Sequence, residues 1–152
     1  MVPSIIYFYE PDEAYGFLSN FYPAMIDIDG ERWLSTEHYY HAQKFTDKSL
    51  QQKIRAALTP REAFSLSREY QSFVRADWEA IRCDIMYFAV MEKFLQHDDL
   101  CQQLMATHPA LLIENSPCDM FWGSGKNRHG QNKLGMILMS VRTKVAAKYR
   151  HV

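Results

Sequence analysis

The chain has 152 residues, of which 47% are hydrophobic and 23% charged, with a formal net charge of -1. This is the profile of one globular domain, large enough to bury a core without disulfides or metal, and it excludes collagen, coiled coil, disordered tail and mucin-like stalk. The near-zero net charge leaves no global basic field for nucleic acid and no acidic run for a basic partner.

Ile5 to Tyr9 is a short β-branched and aromatic run ending at Glu10-Pro11, and reads as a strand. Gly16 to Pro23 reads as a loop with aromatic anchors. Ala24 to Ile28 and Glu31 to Leu34 flank Asp29-Gly30, the strongest local signal for a hairpin. Ser35 or Thr36 can cap a helix running towards Phe45, and Leu50, Ile54, Ala57 and Leu58 keep helical spacing. Thr59-Pro60-Arg61-Glu62 is a capping box with proline at the first helical position. Asp77 can cap a long helix from Trp78 to Gln96, with Trp78, Ile81, Ile85, Phe88 and Ala89 as its apolar stripe. Asp98 or Asp99 starts another helix that stops before Pro109, and Leu111 to Ile113 reads as a short strand. Asn132 can cap a last helix whose Leu134, Ile137, Leu138, Val141 and Val145 face inward. Strands followed by a series of helices predict an α+β class, a mostly helical single domain over residues 1–152 with a small antiparallel β-sheet.

Cys83, Cys101 and Cys118 are odd in number and widely spaced, so a disulfide framework is not expected and a reducing compartment is the default. Met1 to Glu10 lacks the basic and apolar regions of a signal peptide, and no apolar run is long enough to span a bilayer. A cytoplasmic location with no membrane partner is the expectation.

Two segments carry candidate chemistry. In Trp33 to Phe45, Glu37, His41 and Lys44 recur at i, i+4 and i+7, beside Tyr40, so a helix presents them on one face. A carboxylate, an imidazole and an ammonium so grouped suit acid/base work, although a solvated face carries the same ladder. His38 and His41 form HxxH, which is not the zincin HExxH, and no third ligand completes a metal site. The second segment, Asp119 to Gly135, holds Gly123, Gly125, Gly130 and Gly135, four of the six glycines. With Lys126, Arg128 and Lys133 ahead of a helix start, it reads either as a phosphate cradle or as an exposed turn, and it matches neither the Walker A nor the GxGxxG pattern. Two carboxylates in aromatic-rich segments suit cleavage of a glycosidic bond, where negative charge stabilises an oxocarbenium-like transition state.

The chain resembles the NADAR family, also called YbiA-like. The matching blocks are Gly16-Phe-Leu-Ser-Asn-Phe-Tyr22, Trp33 to Phe45, Asp77-Trp78 with Arg82, Lys93-Phe94, Glu114, Asp119, Trp122-Gly123 and Gly130-Gln-Asn-Lys-Leu-Gly135. The resemblance implies the same helix-rich α+β fold and an N-glycosidase that needs no metal and no cofactor. Its substrate would join a (phospho)ribose to an amino-pyrimidine base, as in riboflavin biosynthesis intermediates, and cleavage would release ribose 5-phosphate. Other members imply two alternatives, an ADP-ribosyl hydrolase acting on ADP-ribosylated guanine and a non-catalytic NAD or ADP-ribose binding module. The expected partner is thus a small phosphoribosyl or ADP-ribosyl molecule, with nucleic acid only as a modified-base substrate. By the same resemblance Glu37, Asp119, Trp78 and Lys44 are expected catalytic residues. Ser19, Asn20, Phe21, Trp122, Gly123, Gly125 and Asn132 are expected to bind substrate.

Overall fold

The computed structural model describes residues 1–150. The chain gathers into two compact units, one formed by Pro23–Lys93 and the other by Met1–Tyr22 together with the chain from Phe94 onward.

In the Pro23–Lys93 unit, strands β2 (Ile26–Ile28) and β3 (Glu31–Trp33) pair antiparallel around the Asp29-Gly30 turn. Both turn residues have positive φ, 52° and 82°, the geometry for which Asp-Gly is selected in a two-residue hairpin. Helix α1 (Thr36–Ala42) follows at once, capped by Ser35 Oγ, which accepts the His38 N–H. It ends three residues before Phe45. Helix α2 (Lys48–Arg55) is capped by Asp47, and Ala57 and Leu58 lie beyond its end, Ala57 buried and Leu58 exposed. Helix α3 (Pro60–Glu69) starts at the expected capping box. Thr59 Oγ1 accepts the Glu62 N–H at 3.0 Å, while the Glu62 carboxylate accepts from Leu58 N–H at 2.9 Å rather than from Thr59. Ile26, Trp33, Tyr39, Phe45, Ile54 and Ala63 form a common core with α1 at its centre. Helix α4 (Trp78–Gln96) belongs to this unit up to Lys93. Its expected stripe is corrected in part. Trp78 and Ala89 are buried, but Ile81 and Ile85 are half-buried, and Phe88 is exposed while leaning on Tyr39 at 5.9 Å.

In the other unit, β1 (Ile5–Phe8) pairs with β4 (Leu111–Glu114) in parallel, with Ile5 opposite Leu111. The described residues therefore hold a second, separate two-stranded sheet, a parallel pair whose strands are connected by a long crossover. Helix α5 (Asp98–Ala106) packs on α6 (Lys133–Tyr149), and α6 packs on β4. A Cβ at Gly135 would sit 2.1 Å from the Leu112 carbonyl oxygen, so glycine is what lets α6 lie this close to the strand. Leu134, Leu138, Val141 and Val145 are buried as expected, and Ile137 is half-buried. Among the described residues no helix is long and apolar enough to cross a membrane.

Candidate active site

Helix α1 is only seven residues long, yet all seven are buried. The face bearing Glu37 and His41 is therefore not a solvated ladder. Glu37 is 9% exposed and His41 4%. Glu37 Oε1 lies 3.0 Å from His41 Nε2, within ion-pair reach, but neither ring nitrogen of His41 has an aligned hydrogen bond. The imidazole is held by ring contacts instead, edge-on to Tyr40 at 5.2 Å and to Phe64 at 5.5 Å.

His38 does different work. Its Nδ1 lies 2.7 Å from Ser35 Oγ and its Nε2 3.0 Å from the Ala57 carbonyl. Ser35 Oγ already accepts the His38 N–H, so its proton is free to go to Nδ1, which leaves Nε2–H to donate to Ala57. Burial pushes this imidazole below its usual range, which agrees with that neutral form. Both nitrogens are thus spent on the core, and no group of three His, Cys, Asp or Glu that could hold a metal ion occurs among the described residues.

Lys44 follows the end of α1, where its carbonyl accepts the Arg75 N–H at 2.8 Å. Its ammonium donates to Ser67 Oγ at 3.5 Å and stands 5.7 Å from the centre of the Tyr40 ring. Burial lowers it to about 8, against the pull of Glu37 and with the help of Arg68 and Arg82. Trp78 opens α4 at 8% exposure, with its ring 5.1 Å from that of Tyr40. An open cleft of about 340 Å³ lies alongside, lined by Lys44, Ser67, Arg68, Gln71, Arg75 and Trp78 among others. The Pro23–Lys93 unit thus brings three of the expected catalytic residues, Glu37, Lys44 and Trp78, into one neighbourhood through Tyr40 and His41. Ser67, Arg68, Gln71 and Arg75 were not expected. No spacing rule ties them to Lys44, since Ser67 is 23 residues away and reaches it only because α3 packs on α1.

The remaining expected residues lie in the other unit. Asp119 Oδ1 accepts the N–H groups of Phe121 and Trp122 at 2.9 and 2.7 Å, so this carboxylate shapes its own loop. The Phe121 and Trp122 rings meet edge-on at 4.8 Å. Backbone bonds then tie the loop back on itself: Asn132 N–H to Gly123 carbonyl, Lys133 N–H to Phe121 carbonyl and Leu134 N–H to Trp122 carbonyl, each at 3.0 Å. Of the two readings of the segment, these bonds weigh against a phosphate held at the start of α6. The first N–H groups of α6, which would receive an anion, are already taken by protein carbonyls. Arg128 is drawn onto Tyr7, its guanidinium 4.6 Å from the ring centre and one of its N–H groups donating to the phenol oxygen at 3.4 Å. Gly125 has φ 71°, and a Cβ there would lie 2.0 Å from Met120 Sδ, so it serves the turn.

Asn132 precedes α6 as expected, but its side chain does not cap the helix. Its Oδ1 accepts the Glu114 N–H at 3.0 Å and its Nδ2 donates to the Leu112 carbonyl at 2.9 Å. Ser19 and Asn20 are buried, and Ser19 Oγ accepts the N–H of half-buried Phe21 at 3.1 Å.

Residues 7–146 match the family model described as NADAR domain. An N-glycosidase of Nostoc punctiforme is 46% identical over 143 residues, covering 92% of this chain and 92% of that protein. N-glycosidase YbiA of Escherichia coli is 38% identical over 146 residues, covering 96% of this chain and 91% of that protein. A riboflavin biosynthesis protein of Vibrio vulnificus is 56% identical over 137 residues, but the chain spans only 37% of its length. The NMR structure of the E. coli protein YbiA matches with a TM-score of 0.92 at 37% identity, covering 100% of this chain and 90% of that one.

Proposed function

The chain belongs to the NADAR family, and from that premise we propose that it is an N-glycosidase acting on a phosphoribosyl amino-pyrimidine. The observation that carries the reading is Glu37: a carboxylate almost wholly removed from water, with a buried imidazole 3.0 Å away. In such surroundings a negative charge acts more strongly on a developing cation than it would in water. As the bond between the anomeric carbon and the base nitrogen breaks, the bonding pair leaves with the base. Glu37 stabilises the positive charge growing on the sugar and accepts a proton from the attacking water, and the departing base takes up a proton in turn. The products are the free base and ribose 5-phosphate. Trp78, which lines the cleft and is backed by the Tyr40 ring, is the aromatic group placed to meet the planar base.

Roles for Asp119, Trp122, Gly123, Gly125, Asn132, Ser19, Asn20 and Phe21 in holding substrate rest on the family resemblance, beside the loop-building contacts that several of them make. The chemistry assigned to Glu37 requires no metal.

The test is to incubate the pure protein with phosphoribosylamino-pyrimidine, ADP-ribosylated guanosine and NAD, and to follow products by mass spectrometry with and without EDTA. The expected result is ribose 5-phosphate released from the first substrate at the same rate in both conditions. Cleavage of ADP-ribosylated guanosine alone would move the activity to the larger substrate. Loss of activity with EDTA, restored by one divalent ion, would end the metal-free mechanism.

A further inference from the structure

Lys44 and Arg68 line the same open cleft, and among the described residues neither makes an ion pair. Arg75, on the same wall, is already matched: its guanidinium grips Asp77 at 2.6 and 3.2 Å. Glu79 is the one acidic side chain in the lining. The Arg68 guanidinium stands over the Phe64 ring, 5.9 Å from its centre, a contact that leaves its N–H donors available to an oxygen ligand. Ser67 Oγ and the Gln71 amide stand in the same lining.

We propose that this cleft is the subsite for the terminal phosphate of the sugar substrate, and that Arg68 is the residue that selects a phosphomonoester dianion. The proposal rests on the N-glycosidase reading for the identity of the sugar, but its chemistry comes from the cleft. Two unneutralised cations match the two charges that a monoester concentrates on one phosphorus. A diphosphate diester spreads its charge over two phosphorus atoms and needs a longer track of donors. Arg68 supplies the planar fork that meets two phosphate oxygens at once, and the Gln71 amide supplies a neutral donor, while the Ser67 hydroxyl, which donates to the Phe64 carbonyl at 2.7 Å, holds the Lys44 ammonium in place. Lys44 lines the cleft and feels the charge of Glu37, and its burial-depressed ammonium gains from an arriving anion.

The test uses binding, which needs no turnover. Ribose 5-phosphate, ribose and ADP-ribose are titrated calorimetrically into the wild-type protein, Arg68→Gln and Arg68→Lys, with a thermal melt of each. Arg68 is exposed, so both variants are expected to fold. Wild type should bind ribose 5-phosphate in preference to ribose and to ADP-ribose. Arg68→Gln should lose about 10- to 100-fold in affinity for ribose 5-phosphate, the scale of one charge-assisted hydrogen bond, and Arg68→Lys should recover part of it. Wild-type affinity in folded Arg68→Gln, preference for ADP-ribose, or no preference for the phosphorylated sugar would each overturn the proposal. Phosphate binding that depends on Arg68 without cleavage of any glycoside would leave the subsite standing and remove the N-glycosidase reading. Glycoside cleavage with binding indifferent to Arg68 would do the reverse.

Discussion

Glu37 Oε1 and His41 Nε2 lie 3.0 Å apart, one helical turn from each other, with side chains 12% and 5% exposed. The pair is close enough to attract but not aligned as a hydrogen bond, so a small rotation of either group changes what the carboxylate faces. An imidazole held only by aromatic edges can make that rotation, and a carboxylate buried beside it gains from it.

Glu37→Gln keeps the shape and removes the charge. If the charge stabilises the developing cation, kcat falls by roughly 10²–10⁴. KM moves little, because the lost interaction is realised in the transition state. The check is steady-state kinetics with thermal melts; near-full activity in the folded variant would take Glu37 out of the mechanism.

His41→Gln should reduce kcat through Glu37 rather than by itself. In a double-mutant cycle with Glu37→Gln, the two changes should couple by about 0.5–3 kcal/mol in transition-state stabilisation. Additive losses would mean that His41 only packs against Tyr40 and Phe64.

Asp119 separates shape from chemistry. Asp119→Asn retains an oxygen for the Phe121 and Trp122 N–H groups, whereas Asp119→Ala leaves both without their acceptor. The alanine variant should lose about 1–3 kcal/mol in urea unfolding, and the asparagine variant much less. A fall in kcat of Asp119→Asn with unchanged stability would give the carboxylate a part in catalysis; full activity would confine it to the loop.

Lys93 is 1% exposed, and burial pushes its ammonium down to about 7. In the unfolded chain it holds its proton to a pH near 10.5. Between those values the unfolded state binds more protons, so Lys93 makes stability rise with pH across that window, while at lower pH the cost of burying the charge is fully present. The advantage of Lys93→Met over wild type should therefore be largest below pH 7 and shrink as pH climbs towards 10.5. Urea melts across that range check it; a difference independent of pH would rule out a charge effect.

Asn132 has φ 51° and joins α6 to β4 through two hydrogen bonds. Asn132→Ala loses both bonds and strains the backbone, at a cost of about 2–4 kcal/mol. Asn132→Gly should recover the strain of roughly 1–2 kcal/mol but not the bonds. Equal stability of the two variants in urea would show that the left-handed backbone carries no cost.

The sequence by itself determined what depends on near neighbours. Asp29-Gly30 specifies the hairpin through two positive φ angles, Ser35 and Thr59 start helices through their own side chains, and helical spacing puts Glu37 and His41 on one face. These are interactions across two to four residues, and their energetics are written in the local pattern. Tertiary structure alone decided that this face is buried, because burial depends on α2 and α3 closing over α1. It also placed Ser67 and Arg68 beside Lys44 and paired β1 in parallel with β4. Asn132 marks the boundary between the two: its position before a helix was legible, but its side chain turned to the carbonyl of Leu112 and the N–H of Glu114. Those backbone groups come within its reach only when α6 lies on β4, and no spacing along the chain encodes which distant partner a polar side chain will meet.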